Sequence, residues 1–246
     1  MSTSPPDFLA RRVALDVTHV VYDESSPSEL VLALLTLSPI LLNPAYVALA
    51  MWTREILFIE MYAGQLLCEV SNWFLKHAVK AERPVDELGT GYGFPSSHSQ
   101  WMGYFTAFLY CHFSFRHRFI STGYLALDLT RVVVLYFSLA IWAGGVAYSR
   151  FYLSYHTIPQ VLWGLGFGAL FGTCYYTLVE LLPSRYPHSV LGKMKAAVIA
   201  NPASTWFRMR DSWAVWADGG VEAQWLRWRT EWCRLRAEVR GEKKRT

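Results

Sequence analysis

Three short clusters of basic, histidine and hydroxyl residues carry the side chains best suited to phosphate chemistry. The first consists of Lys76 and, seven residues later, Arg83 followed by Pro84. Seven residues are two helical turns, so both cations share one face if a helix continues through them, and Pro84 disfavours helix at the preceding residue. We therefore expect Lys76 and Arg83 to point to one place at the end of a helix.

The second cluster is the stretch from Gly91 to His98, with the sequence GYGFPSSH. Its glycines and Pro95 favour a turn, and Ser96 or Ser97 can cap a helix that follows. A helix N-terminus presents free N–H groups and a partial positive charge, which suit a phosphate. The stretch therefore predicts a phosphate-binding turn with His98 at its mouth.

The third cluster combines Ser149 and Arg150 with His156, and Gln160 follows one helical turn later. An Arg side chain offers a planar fork for phosphate oxygens, and a neutral imidazole can attack phosphorus when an acceptor holds its other nitrogen. Gln160 can supply that acceptor through its amide oxygen. Pro159 is tolerable if it lies in the first turn of a helix, where its missing N–H costs little.

Five apolar segments are the elements that must position these clusters. The chain is 53% hydrophobic and 17% charged, with a mean hydropathy of +0.18, and is therefore more apolar than an ordinary soluble domain. Roughly 20 apolar residues cross a bilayer core. On this basis we predict an all-α fold, a polytopic membrane helical bundle. Its predicted spans are residues 30–52, 55–76, 99–115, 131–149 and 157–181.

The charge distribution predicts how these spans are oriented. Residues 183–246 carry 13 Lys and Arg against 6 Asp and Glu, whereas residues 1–182 carry 10 against 13. Under the positive-inside rule, the basic tail faces the cytoplasm. Five spans then place residues 1–29 and the loops 77–98 and 150–156 together on the opposite face. The three clusters converge there, and three cations, two histidines and a helix N-terminus suit a phosphate and its more negative transition state.

Other polar residues predict no second site. The four cysteines form no CxxC pair, and no paired carboxylates or metal-ligand spacings accompany the clusters, so we expect no metal and no cofactor. Glu55, Glu60 and Glu69 interrupt the second span. A charge at membrane depth is costly unless it faces the bundle interior, so we expect all three to be satisfied in contacts between helices.

The C-terminal segment 183–246 has a different composition, with six of the eleven tryptophans. Apolar residues recur at i, i+3, i+7, i+10 and i+14 from Trp225 to Val239, and arginines occupy much of the remaining surface. This pattern predicts an amphipathic basic helix that lies flat on the membrane surface, the alternative being packing against the bundle or a partner. Beside hydrophobic spans, nucleic-acid binding is the less favoured interpretation of such a tail.

The order and spacing of the three clusters resemble the signature of the type 2 phosphatidic acid phosphatase (PAP2) superfamily of membrane phosphatases, KxxxxxxRP, PSGH and SRxxxxxHxxxD. Two positions differ, because Ser97 stands where the signature has glycine and Gln160 where it has aspartate. Both differences, with the stretches FPSSHSQ and SRFYLSYHTIPQV, resemble one branch, the dolichyl-diphosphatases of the endoplasmic reticulum. The resemblance to this branch extends over most of the chain.

The resemblance implies a role for each site residue. His156 would be the nucleophile that forms a phosphohistidine, and His98 the acid that protonates the leaving group. The phosphate ligands would be Lys76, Arg83, Ser97 and Arg150, with Gln160 and Ser96 in support. Residues 30–182 would form the phosphatase domain and work without a metal ion.

The leading functional expectation is hydrolysis of dolichyl diphosphate at the lumenal face of the endoplasmic reticulum membrane, which recycles the carrier lipid for N-glycosylation. One alternative is a phosphatase for another lipid phosphate or diphosphate, such as phosphatidate, a sphingoid phosphate or undecaprenyl diphosphate. Another is a catalytically silent membrane scaffold. A transporter is disfavoured because the spans show no internal repeat. The sequence leads to no expectation about the oligomeric state.

Overall fold

The computed structural model describes residues 12–15, 20–23, 25–85 and 91–242, with side chains described for 20–23, 25–85 and 91–238. Two short antiparallel strands are followed by helices, so the fold is all-α apart from this hairpin. The strands are β1 (Arg12–Leu15) and β2 (Val20–Asp23). The helices are α1 (Pro27–Leu35), α2 (Ser38–Thr53), α3 (Ile56–Val79), α4 (Ser97–Phe115), α5 (Leu125–Tyr152), α6 (Ile158–Tyr176), α7 (Leu182–Arg185), α8 (Val190–Ala200), α9 (Pro202–Trp206) and α10 (Val221–Glu242).

A helix or helix pair covers each of the five predicted spans. By length and composition, two helical segments in the described part of the chain are apolar enough to cross a membrane, namely α5 and the continuous segment Ile158–Arg185. That segment includes α6, a π-helical turn over Thr177–Leu181 and α7. The pair α1 and α2, bent by 41°, adds a third if it forms one span. Helices α3 and α4 carry more polar residues and are not apolar enough to be included by these criteria.

Helix α4 lies at the centre of the bundle, where it contacts α2, α3, α5 and α6. Its side chains Met102, Tyr104 and Phe108 have no exposed surface. This central position explains why α4 is less apolar than the outer helices, because its polar side chains face other helices instead of lipid.

Three glycines bring the backbone of α6 against that of α4. Gly164, Gly168 and Gly172 recur every fourth residue and therefore share one face of α6. A Cβ on Gly164 would lie 2.7 Å from the carbonyl oxygen of Ser96, and a Cβ on Gly168 would overlap the carbonyl oxygen of Gln100. Small residues at this spacing allow close helix packing in membranes. The beginnings of α4 and α6 are consequently held side by side.

A buried cluster of charged residues closes the end of the bundle where α3 begins and α4 ends. The guanidinium of Arg116 contacts the carboxylates of Glu180 at 2.6 Å and Asp211 at 2.8 Å. The ammonium of Lys195 contacts Glu60 at 3.1 Å and Glu180 at 2.5 Å. Lys195 and Asp211 follow α7 in the chain, so this cluster attaches the segment after α7 to the bundle.

Glu55 makes a second attachment at the same end. Its carboxylate accepts a hydrogen bond from the backbone N–H of Ser212 at 3.0 Å and pairs with Nε of Arg210 at 2.6 Å. The expectation that Glu55 and Glu60 are satisfied is confirmed, although their ion-pair partners Arg210 and Lys195 follow α7 and do not belong to another span. Glu69 instead interacts electrostatically with Lys76 of its own helix. The boundary expected between residues 182 and 183 lies inside a continuous helical segment.

The opposite end of the bundle brings β2 and α1 against the loop that follows α5. Val20, Ala33, Leu153 and Tyr155 form a small buried cluster there. The backbone N–H of Val21 donates to the hydroxyl of Tyr155 at 2.8 Å. The loops that the charge distribution assigns to one face thus lie at one end of the bundle, away from the charged cluster.

Candidate active site

Lys76 reaches this end of the bundle from the last turn of α3, but Arg83 does not continue that helix. The helix ends at Val79, because Lys80 adopts a left-handed conformation with φ of 52°. The expectation that Lys76 and Arg83 share one helical face is therefore wrong. Arg83 lies on the following loop, where its Nε donates to the carbonyl oxygen of Gly91 at 3.1 Å.

The stretch before α4 forms the turn that its sequence predicts. Ser96 occupies the N-cap position, but its side chain makes no capping hydrogen bond and instead accepts one from Ser99 Oγ at 3.1 Å. Ser97 Oγ accepts a hydrogen bond from Nζ of Lys76 at 2.7 Å. His98 lies half-buried in the first turn of α4. The first two clusters are thus joined through Lys76 and Ser97.

Asn72, which the sequence did not indicate as a site residue, connects Ser97 to the buried polar side chains between α3 and α4. Its side chain is 1% exposed, and its Oδ1 accepts a hydrogen bond from Ser97 Oγ at 3.0 Å. Its Nδ2 donates to Oε1 of Gln100 at 2.7 Å, which fixes the amide orientation. The available signal was its position one helical turn before Lys76, which places both on one face of α3.

His156 is oriented by two acceptors at Nδ1. The carbonyl oxygen of Gly93 lies 2.9 Å from Nδ1, and the expected contact with Gln160 Oε1 is present at 3.3 Å. A carbonyl oxygen only accepts, so Nδ1 carries the hydrogen and Nε2 keeps its lone pair. The sequence predicted a turn at Gly93 but not this contact, because the contact is made by the backbone. The ring is therefore held as the tautomer that a nucleophile needs.

Gln160 also connects the loops around His156. It forms a capping box with Thr157 at the start of α6, and its Nε2 donates to the carbonyl oxygen of Glu82 at 2.9 Å. Pro159 lies in the first turn of α6, as expected. One amide side chain thus links the loop of Arg83 to the ring of His156.

Arg150 is buried at the end of α5, with 4% of its surface exposed. Its guanidinium stacks on the ring of Tyr155 at 3.9 Å. In the described part of the chain, its Nε and Nη1 are buried without a hydrogen-bond partner. Buried guanidinium donors are costly to leave unsatisfied, so they suit an anion that binds at this point.

The three clusters form one electropositive site. Lys76 interacts electrostatically with Arg83 and Arg150, and His98 interacts with all three cations and with His156. Burial, followed by the positive charges of Arg150 and Arg83, lowers the pKa of His156 to about 3. His156 is therefore neutral at physiological pH. No group of three or more His, Cys, Asp or Glu residues within the described ranges is arranged to hold a metal ion.

A cavity of about 350 Å³ opens beside the first turn of α4. Ser97 and His98 of α4 and Glu69 of α3 line this cavity. The other lining residues are Pro39, Ile40 and Asn43 of α2, Leu66 of α3 and Trp101 of α4. The cavity therefore connects the site to the side of the bundle formed by α2 and α3.

Comparison with known proteins assigns the chain to a family. Residues 6–183 match the PAP2 superfamily. The chain is 34% identical to Dolichyldiphosphatase 1 of Rhinolophus ferrumequinum, with 80% of each chain covered. It is 31% identical to the putative dolichyldiphosphatase of Neurospora crassa, covering 94% of this chain and 96% of the relative. It is 32% identical to the dolichyldiphosphatase of Saccharomyces cerevisiae, covering 69% and 72%. No solved structure matches significantly. The resemblance drawn from the three motifs is thus confirmed, and the chain belongs to the PAP2 superfamily.

Proposed function

We propose that the protein hydrolyses dolichyl diphosphate to dolichyl phosphate and inorganic phosphate, which recycles the carrier lipid for N-glycosylation. The observation that carries this proposal is the convergence of three cations and two histidines at one end of the bundle: Lys76, Arg83, Arg150, His98 and His156. The names of the relatives suggest the substrate, and the chemistry of these side chains suits its diphosphate group.

In the proposed first step, Nε2 of His156 attacks the terminal phosphorus of the diphosphate. A bond forms between Nε2 and phosphorus, while the bond between that phosphorus and the bridging oxygen breaks. The Nδ1–H group remains hydrogen-bonded to Gly93, which stabilises the positive charge that develops on the ring. The product of this step is a phosphohistidine together with dolichyl phosphate.

His98 is the proposed acid of this step, because it lines the cavity beside the site. Burial and the neighbouring cations disfavour its protonated form in the free protein, and the negative charge of the bound diphosphate offsets these cations. His98 donates a proton to the bridging oxygen as dolichyl phosphate leaves. In the second step, water attacks the phosphohistidine with His98 as the base. The phosphorus–nitrogen bond breaks, inorganic phosphate leaves, and His156 returns to its neutral form.

The phosphate oxygens are assigned to the cationic side chains. Arg150 offers its guanidinium fork, Lys76 offers its ammonium group, and Arg83 approaches from the loop. Ser97 donates its hydroxyl hydrogen to Asn72, so we assign it to the phosphate through its backbone N–H in the first turn of α4. The free N–H groups at the start of α4 add a partial positive charge. These donors are worth most in the transition state, where the transferred phosphoryl group carries the most charge.

The cavity supports a lipid substrate over a soluble phosphate ester. It is lined by Ser97 and His98 together with apolar side chains such as Ile40 and Leu66. An isoprenoid chain held there would keep its diphosphate at the site while its tail stays in the bilayer. We place this site at the lumenal face of the endoplasmic reticulum membrane and the basic C-terminus in the cytoplasm.

The test is phosphate release by the purified, detergent-solubilised protein in excess chelator, with dolichyl diphosphate and phosphatidate offered side by side. His156→Ala removes the nucleophile, and His77→Ala, an exposed histidine on α3, is the matched control. We expect release from the diphosphate by the wild type and by His77→Ala, and none by His156→Ala.

Each other outcome contradicts a defined part of the proposal. Preference for phosphatidate would overturn the substrate, and loss of activity in chelator would overturn the metal-independent chemistry. Activity in His156→Ala would overturn the nucleophile. Absence of release from either lipid by a folded wild-type protein would favour a silent scaffold.

A further inference from the structure

Helix α10 extends away from the rest of the protein, which leaves the apolar side chains of this helix uncovered. Every residue from 224 to 238 is exposed. The apolar residues of one face of this helix have between 40% and 65% of their surface exposed: Val221, Trp225, Trp228, Trp232 and Leu235. Leu226, outside this face, is 51% exposed. A helix of 22 residues with three tryptophans on one face requires a surface that covers them.

The spacing of these residues indicates what that surface is. Successive apolar positions are separated by four, three, four and three residues, and Val239 continues the series in the sequence. This is the 3.5-residue repeat of a coiled-coil seam. Trp225 and Trp232 take the a positions, and Val221, Trp228 and Leu235 take the d positions. A seam limited to a and d is narrower than the apolar face of a helix that packs on a bundle.

From residue 229 to residue 238, the residues beside the seam have opposite charges on its two sides, whereas the first turn carries Glu222 at an e position. Arg229 and Arg236 occupy e positions, and Glu231 and Glu238 occupy g positions. In a parallel pair of coiled-coil helices, a g residue faces the e residue five positions later on the partner. Glu231 of each copy would therefore face Arg236 of the other. In the sequence, Lys243 occupies the e position that would face Glu238.

The local contacts agree with a preformed seam. Trp228 and Trp232 stack with ring centroids 5.8 Å apart, and the guanidinium of Arg236 lies over the ring of Trp232 at 4.7 Å. Glu231 pairs within its own helix, with Arg234 at 2.9 Å, and its side chain is 59% exposed. It is therefore accessible to a partner.

This arrangement fits a second helix better than a lipid surface. Helices that lie on membranes carry Lys and Arg on their polar face, which attracts anionic lipids. Here Glu231 and Glu238 border the apolar stripe, and α10 contains five arginines against four glutamates. An anionic surface would repel the acidic border of the stripe, whereas a second copy would pair with it.

We propose that α10 pairs with α10 of a second copy of this chain in a parallel coiled coil. The position of the helix permits this orientation. It follows Gly219 and Gly220 at the end of the bundle that carries the charged cluster, where the backbone N–H of Arg118 donates to the carbonyl oxygen of Ala217 at 2.7 Å. Two copies inserted in the same direction present α10 on the same face of the membrane, which is the condition for parallel pairing.

The test is disulfide cross-linking of the full-length protein in detergent, with exposed Cys174 and Cys233 replaced by serine. Leu235→Cys places a thiol at a d position, close to its counterpart in a parallel pair, and Thr230→Cys places one at the outer f position as the matched control. We expect a disulfide-linked dimer from the Leu235→Cys protein and no such dimer from the Thr230→Cys protein. Phosphate release by each variant checks that the bundle remains folded.

Charge exchange in the Leu235→Cys protein provides the second measurement. Glu231→Arg places an arginine opposite Arg236 of the partner, so we expect loss of the linked dimer, and adding Arg236→Glu to the same chain is expected to restore it. Equal cross-linking at both thiol positions, no cross-linking at either, or a yield insensitive to the charge exchange would overturn the proposal. Unchanged or stronger membrane protection of α10 in Glu231→Arg would favour a lipid surface as the contact.

Discussion

Nδ1 of His156 lies 2.9 Å from the carbonyl oxygen of Gly93, closer than the 3.3 Å that separates it from Oε1 of Gln160. Gln160 stands where the PAP2 signature has aspartate, and it is therefore not the sole group that orients the ring. An amide can hold the ring but cannot stabilise an imidazolium as a carboxylate does. We propose that a diphosphate substrate compensates for this loss, because its leaving group is a phosphate and needs less help to depart than an alkoxide.

This relationship predicts that Gln160→Asp changes kcat only modestly, by about tenfold or less, equivalent to about 1.4 kcal/mol. The backbone of Gly93 keeps the ring in place when the amide is lost, whereas His156→Ala removes the nucleophile and abolishes turnover. Phosphate release from dolichyl diphosphate measures both variants. A loss in Gln160→Asp as complete as that in His156→Ala would contradict the assigned role of Gly93.

The lowered pKa of His156, about 3, leads to a prediction for the pH dependence of the reaction. In the proposed mechanism the neutral ring of His156 is the nucleophile, so protonation of His156 at its ordinary pKa of 6.5 causes no loss of kcat/KM. Burial and the charges of Arg150 and Arg83 disfavour the protonated ring. Arg83→Gln removes one of these charges, raises the pKa of His156 and moves the acid limb of kcat/KM to higher pH.

The matched variant is Arg83→Lys, which keeps the positive charge and is expected to leave the acid limb in place. Both substitutions alter a proposed phosphate ligand and can therefore lower kcat/KM at every pH. The relevant measurement is the pH at which kcat/KM falls on the acid side, and not its maximum value. An acid limb that moves to lower pH in Arg83→Gln would contradict the electrostatic cause.

Apolar segment length was sufficient to predict the main helices, because a span needs a long run of residues that tolerate lipid. The charge distribution predicted which loops meet, and the structure brings Lys76, His98 and Arg150 to one end of the bundle. The regular spacing of Gly164, Gly168 and Gly172 is readable in the sequence and could have identified the close pairing of α4 with α6.

The remaining features depend on contacts between residues far apart in the chain. Gly93 contributes a backbone carbonyl to His156, which no residue type encodes. Arg83 reaches the site from a loop because α3 ends at Val79, before the end that Pro84 predicts, and Lys80 carries no strong helix-ending signal. The partners of Glu60 come from α8, more than a hundred residues later, and hydropathy gives no indication of that pairing.

Asn72 is expected to position Ser97 and Lys76 for phosphate binding. Asn72→Ala removes the acceptor of the Ser97 hydroxyl and leaves Oε1 of Gln100 buried without its donor, which costs about 1–3 kcal/mol of stability. Ser97, the hydrogen-bond partner of Lys76, is then held less firmly, and this weakens phosphate binding equally in the substrate complex and in the transition state. We expect KM for dolichyl diphosphate to rise roughly fivefold with kcat little changed, the signature of lost uniform binding.

Ser71→Ala is the matched control, because Ser71 bonds to Gln100 in the same buried network without contacting Ser97. It is expected to lower the thermal midpoint while leaving KM unchanged. If both variants raise KM equally, Asn72 acts through general stability and the positioning role is wrong.

Lys195 is expected to hold the segment after α7 on the bundle. It and Arg116 are the cations of a buried cluster that contains three carboxylates, on Glu60, Glu180 and Asp211. Lys195→Met leaves those carboxylates with one cation, and breaking a buried ion pair in this way costs about 3–5 kcal/mol. Thermal unfolding in detergent should therefore begin at a clearly lower temperature.

Lys193→Met, which changes an exposed lysine on the same helix, controls for the loss of charge. Because the cluster lies at the opposite end from His156, KM measured below the unfolding transition should stay unchanged. Equal thermal midpoints for the two variants would mean that residues 190–216 do not contribute to the folded unit, and a raised KM in Lys195→Met would mean that the two ends of the bundle are coupled.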